Sequence, residues 1–136
     1  MSRKKPSGIV LIAIYSGLSG VASLIGGIGL LLASALPGMS LWYTSGGLAL
    51  EAYGAFVLAS VYGLWSLQAW GRSATQWLYL ISIPLGVIAI FPIFPGSEMS
   101  ASNTLFQVVA IAISLLVLWY LSRSRIRDLY APPGHA

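Results

Sequence analysis

Polar residues in this chain come as short punctuation between long apolar runs. Four such runs, residues 9–36, 47–70, 76–94 and 103–122, contain neither Asp, Lys, Arg nor His, and Glu51 is the sole formal charge within them. A helix needs roughly 20 predominantly apolar residues to cross a ~30 Å hydrocarbon layer, and each run is of that order. Strands that cross outer membranes alternate polar with apolar over ~10 residues, whereas these runs are apolar on every side. The pattern predicts an all-α fold, a four-helix transmembrane bundle forming one integral membrane domain over 1–136, with a basic tail at 123–136. At ~1.5 Å per residue the first span would be about 42 Å long, so it must tilt, project or loosen near Gly26-Gly27.

The breaks between runs carry start and stop chemistry. Pro37-Gly38 closes the first span, because proline cannot continue a helix and glycine suits its C-terminal cap. Ser73-Ala74-Thr75-Gln76 has the form of a capping box before Trp77. Pro92 and Pro95-Gly96 break the far end of the third span, and Pro84 is expected to bend it. Interfacial aromatics mark both sides, with Trp42 and Tyr43 on one and Trp70, Trp77, Trp119 and Tyr120 on the other.

Charge then sets orientation. Charged residues are 7% of the chain and the net charge is +4. Arg3, Lys4 and Lys5 precede the first span, Arg72 lies between the second and third, and Arg123, Arg125 and Arg127 follow the fourth. Placing both termini in the cytoplasm puts all seven Lys and Arg residues inside and none outside, as the positive-inside rule requires. These seven residues are candidates for contact with lipid head groups. Cations placed at span ends in this way argue against a nucleic-acid partner. The basic start and Ala33-Ser34-Ala35 resemble a secretory signal, but its apolar region is ~7–15 residues and this one is far longer. A retained first helix is expected.

With no cysteine, and with His135 as the sole histidine, the spans offer no thiolate or imidazole. That removes thiolate metal sites, haem ligation and Ser–His catalysis from the bundle, and no cofactor is expected. Asp128, Glu98 and Glu51 fall on a tail, a loop and a helix, so no carboxylate pair forms. The chain is not expected to be an enzyme.

Helices in lipid pack through small residues that let backbones approach. Ser16, Gly20, Ser23 and Gly27 form one stripe of the first span; Ala52, Ala55, Ala59 and Gly63 form a similar stripe of the second. Gln107, Ala110 and Ser114 do the same on the fourth. The first two stripes are expected to face each other or a common centre, leaving Leu30, Leu31, Val57 and Leu64 toward lipid or a partner protein. Glu51 borders its stripe, and Gln107 sits at comparable depth, so a Glu51–Gln107 hydrogen bond is expected. An ionisable group within a span is costly, so Glu51 is expected to be a hydrogen-bonding group that fixes helix register or a snorkelling carboxylate, with a proton or cation site as the alternative. The tail is expected to serve as a topogenic anchor; docking onto anionic lipid, with Leu129 and Tyr130 dipping in, or onto an acidic partner surface is the alternative.

The run Ala59-Ser-Val-Tyr-Gly-Leu-Trp-Ser-Leu-Gln-Ala-Trp-Gly-Arg72 and the exit Leu118-Trp-Tyr-Leu-Ser-Arg-Ser-Arg-Ile-Arg127 resemble a family of uncharacterised small four-span membrane proteins, largely archaeal with some bacterial members. In that family the last span ends in Tyr-Leu, a basic residue and a proline, and Ser124 stands here at the proline position. The resemblance implies a four-helix membrane domain in a prokaryotic plasma membrane and brings no activity with it. The expected function is that of a non-catalytic accessory or scaffolding subunit of a larger membrane complex, partnered by lipids and by other subunits or a second copy. A small transporter or channel using Glu51 is the main alternative, and a lipid- or pigment-binding helper is another.

Overall fold

A computed structural model of the chain describes residues 5–38, 41–91 and 99–131. Arg3, Lys4, Pro92, Pro95-Gly96, Glu98 and His135 lie outside them. The described residues form helices and turns without a strand: α1 Ser7–Ser34, α2 Leu41–Trp65, α3 Ala69–Ile90, α4 Ala101–Ser122, the single turn α5 Ser124–Arg127, and a 3₁₀ turn Asp128–Tyr130. The first four are long and apolar enough to cross a membrane.

Two boundaries differ from expectation. Helix α2 begins at Leu41, so Gly46-Gly47 is interior, where Gly47 is buried in packing. The turn after α2 occupies residues 66–68, not 71–75. Its Leu67 N–H donates to the Leu64 carbonyl at 3.2 Å, and the Gln68 N–H to the Gly63 carbonyl at 2.9 Å. This is the paired bonding of a Schellman motif, with Leu67 at φ 56° where glycine is usual. Once the chain has turned there, Ala69, Trp70 and Gly71 continue as helix, and the expected capping box lies inside α3. The Gln76 amide, instead of reaching back to Ser73, donates to Ser122 Oγ at 3.3 Å.

The contacts divide the chain into two compact units, Met1–Gly71 and Arg72–Ala136. The first is an antiparallel hairpin of α1 and α2 joined along a glycine seam. A Cβ on Gly54 would lie 2.9 Å from the Gly20 carbonyl oxygen, and one on Gly47 would lie 3.0 Å from the Gly27 carbonyl oxygen. Such spacing brings helix backbones together and allows Cα–H to meet carbonyl oxygen directly. Ser16, Gly20 and Gly27 are buried on α1, and Ser23 is half-buried with its hydroxyl on the Ser19 carbonyl at 2.9 Å.

On α2 the seam runs one residue away from the expected alanine stripe. Ala52, Ala55 and Ala59 are exposed, whereas Gly47, Gly54, Val57 and Leu64 are buried. The cause is steric. Gly47 and Gly54 leave room for the Leu31 and Leu24 side chains of α1, room that alanine methyls would fill. Leu30 and Leu31 are therefore interface residues, and Val57 and Leu64 are 3% and 0% exposed. Gly63 is buried too, with Gly71 and Trp70 its nearest neighbours.

The second unit is an antiparallel hairpin of α3 and α4 joined by polar contacts. Ser82 and Ser114 hydroxyls meet at 2.9 Å, and Ser114 also donates to the Ala110 carbonyl at 2.8 Å. A Cβ on Gly86 would touch Ile111 Cγ1 at 3.1 Å. Each helix also closes the end of the other. Arg72, in the first turn of α3, donates to the Leu121 carbonyl at 3.0 Å, and Asn103, in the first turn of α4, donates to the Ala89 carbonyl at 2.9 Å. The last four carbonyls of any helix lack an internal donor; here the neighbouring helix supplies one at each end. Helix α3 continues through Pro84, and just before it the Ser82 hydroxyl takes the Tyr79 carbonyl at 2.8 Å.

Candidate functional site

Among the described residues, two places at or within the spans are candidates for binding or proton chemistry. The first is Glu51, in the third turn of α2. Its Oε1 is fully buried and has no hydrogen-bond partner. The α1–α2 seam explains this. A Cβ on Gly27 would be 2.7 Å from that oxygen and 3.0 Å from the Gly47 carbonyl oxygen. The carboxyl thus rests against the bare backbone of α1, whose N–H groups there are spent within the helix. A buried acceptor with no donor is costly. An oxygen so placed can take a proton or a small donor entering the seam.

Gln107 belongs to the other unit, where its amide lies 3.5 Å from Asn103 Oδ1 and its oxygen faces Gly86. Each of the two groups is placed within its own unit, Glu51 against glycine and Gln107 beside Asn103. Ala110 is half-buried and Ser114 buried on the same helix.

The second place is the set of basic helix ends. In the first unit Lys5 Nζ lies 3.9 Å from the centre of the Trp65 ring, tying the start of α1 to the end of α2. Beside that end, the Trp70 indole donates to Gln68 Oε1. In the second unit Arg123 Cζ lies 3.7 Å from the Trp119 ring centre. Such cation–π contacts hold a charge at the edge of an apolar layer. Arg72 is occupied by the Leu121 carbonyl, while Arg125 and Arg127 are exposed.

Tyr130 corrects the expected lipid-dipping role. It is 4% exposed, and Ile126 is equally buried. Burial pushes the Tyr130 hydroxyl up to about 12; Tyr120 adds to that rise, and Arg72 opposes it. Residues 126–130 are therefore folded back, and Leu129 is half-buried. The reciprocal caps of Arg72 and Asn103 were absent from the sequence expectations. An amide residue at the head of the fourth apolar run was the available signal for Asn103. Among the described residues no three His, Cys, Asp or Glu side chains gather as a metal site would require.

Comparison of the chain with protein-family models, with curated proteins and with solved structures gave no match.

Proposed function

We propose that this chain is a non-catalytic multi-pass membrane protein that serves as an accessory or scaffolding subunit of a larger membrane complex. The observation that carries this reading is how the polar groups of the spans are used. Hydroxyls of Ser23, Ser60, Ser82 and Ser114 go to carbonyls of their own helices. Arg72 and Asn103 close helix ends. The hydroxyls are thus spent within their helices, and Arg72 and Asn103 tie α3 to α4. Leu11, Leu18, Ile25 and Leu32 of α1 and Phe106 and Leu116 of α4 remain outward, and such faces take lipid, other subunits or a second copy as partners.

The basic residues at span ends support both termini lying in the cytoplasm, and the resemblance to small archaeal and bacterial four-span proteins supports a prokaryotic plasma membrane. Gentle extraction of native membranes, followed by size separation and identification of what co-migrates, tests the reading. Co-migration with a fixed set of membrane proteins in several mild detergents is the expected result. Migration as an isolated chain in all of them rejects it.

The unpartnered Glu51 oxygen favours a second reading, a small proton- or cation-coupled transporter. Flux in liposomes separates the two. Wild-type flux that Glu51→Gln abolishes supports transport; background flux in both leaves the accessory role.

A further inference from the structure

We propose that residues 123–130 form a held basic segment that binds the phosphate head groups of anionic phospholipids. After α4 the chain makes a turn of helix and a 3₁₀ turn, and Ile126 and Tyr130 are both buried. Each is buried from its own turn, Ile126 from the helical one and Tyr130 from the 3₁₀ one. That anchoring fixes their neighbours. In a helix each residue is rotated about 100° from the last, so Arg125 and Arg127 flank the buried Ile126 on opposite sides, and both are exposed.

Depth comes from a separate contact. Trp119 stands in the last turn of α4 with 58% of its surface exposed, and the Arg123 guanidinium lies 3.7 Å from its ring centre. An outward indole at the end of a span marks the level of lipid head groups. Arg123 is thereby held at phosphate height, on a face whose surroundings are acyl chains and head groups, which favours a lipid over an acidic protein. Asp128 is the segment's acidic residue and is exposed, leaving a positive excess. Arg72 is not counted, because its guanidinium is used on Leu121.

The test uses the full chain in phosphatidylcholine nanodiscs containing a minor fraction of phosphatidylglycerol, with lipids retained on release read by native mass spectrometry. Each arginine near an anionic leaflet contributes about fivefold in affinity. Wild type is expected to retain phosphatidylglycerol selectively, and R125Q/R127Q to lose roughly 25-fold of that preference. Lys5→Gln, in the other unit, is expected to retain it. Tyr130→Ala keeps every arginine but removes an inward anchor, and is expected to lose most of the preference with the helical circular-dichroism signal unchanged. Equal selectivity in wild type and R125Q/R127Q overturns the site, and equal selectivity in Tyr130→Ala overturns its being held. Displacement of the lipid by millimolar inorganic phosphate would make it a free-anion site and also overturn the proposal.

Discussion

The Arg72 guanidinium donates to the Leu121 carbonyl across 3.0 Å, joining the first turn of α3 to the last turn of α4. A hydrogen bond from a charged donor is worth about 1.5–3 kcal/mol, and this one satisfies a carbonyl the helix cannot satisfy itself. Arg72→Leu is expected to lower the thermal midpoint in detergent, with a loss of about 1–2 kcal/mol. Arg72→Lys should recover part of it. A midpoint unchanged by Arg72→Leu would remove this cap from the list of stabilising contacts.

The Gly63–Gly71 contact makes a sharper prediction. A Cβ on Gly63 would lie 2.7 Å from the Gly71 Cα, and one on Gly71 would fall on the Gly63 backbone. Neither backbone can yield as a flexible side chain would. Gly71→Ala is expected to be poorly folded, with sharply reduced yield and midpoint. Gly17→Ala and Gly29→Ala meet nothing within 4 Å and are expected to be neutral or to gain up to about 1 kcal/mol from helix propensity. The comparison of these variants by thermal unfolding decides whether space or propensity rules.

Leu67 holds a left-handed backbone conformation at φ 56°, which costs an ordinary residue about 1–2 kcal/mol. Leu67→Gly and Leu67→Asn are expected to raise the midpoint, offset in part by lost burial of a half-buried side chain. Leu67→Val should lower it, since branching at Cβ makes that conformation worse. Equal midpoints for Leu67→Gly and Leu67→Val would contradict the strained turn.

Tyr130 makes stability alkaline-sensitive. Its hydroxyl titrates at about 12 when folded against 10.0 ordinarily. The folded chain therefore binds this proton more tightly, and the contribution is complete below about pH 10. It is lost as pH rises from there through about 12. Tyr130→Phe is expected to flatten the fall of midpoint with pH over that window; an identical slope in both proteins would refute it.

Orientation has a direct readout now that the turn is placed. Ser66 lies in the α2–α3 turn and Ser100 just before α4, and both are exposed. In intact cells an impermeant maleimide is expected to label Ser100→Cys and to spare Ser66→Cys. The reverse pattern would invert the topology.

Helical class and span number were legible because lipid imposes a length and an all-round apolar character that few other patterns satisfy. The α1 stripe was legible for a similar reason, since Gly20 and Gly27 are small where a neighbour must come close. The α2 face was not. Alanines 52, 55 and 59 have the same spacing as an interface, and the true face one residue away mixes Gly47 and Gly54 with large Val57 and Leu64. Spacing cannot tell a seam of glycines receiving leucines from a seam of alanines. The α2–α3 turn was hidden for another reason. Leu67 carries no turn signal of its own, and the Ser-x-x-Gln pattern downstream looked like a better start. Among candidate site residues, Glu51 stood out as a lone charge, but its unpartnered oxygen follows from Gly27 on another helix, which no local pattern reveals.

The glycine seam between α1 and α2 has an evolutionary consequence. Because a Cβ at 27 would stand 3.0 Å from the Gly47 carbonyl oxygen, which no side-chain change can move, shortening residue 51 alone would not make room for it. Related chains should therefore keep glycine at 27 whatever stands at 51, and a tree in which position 27 drifts freely would mean the two rods are held apart in life.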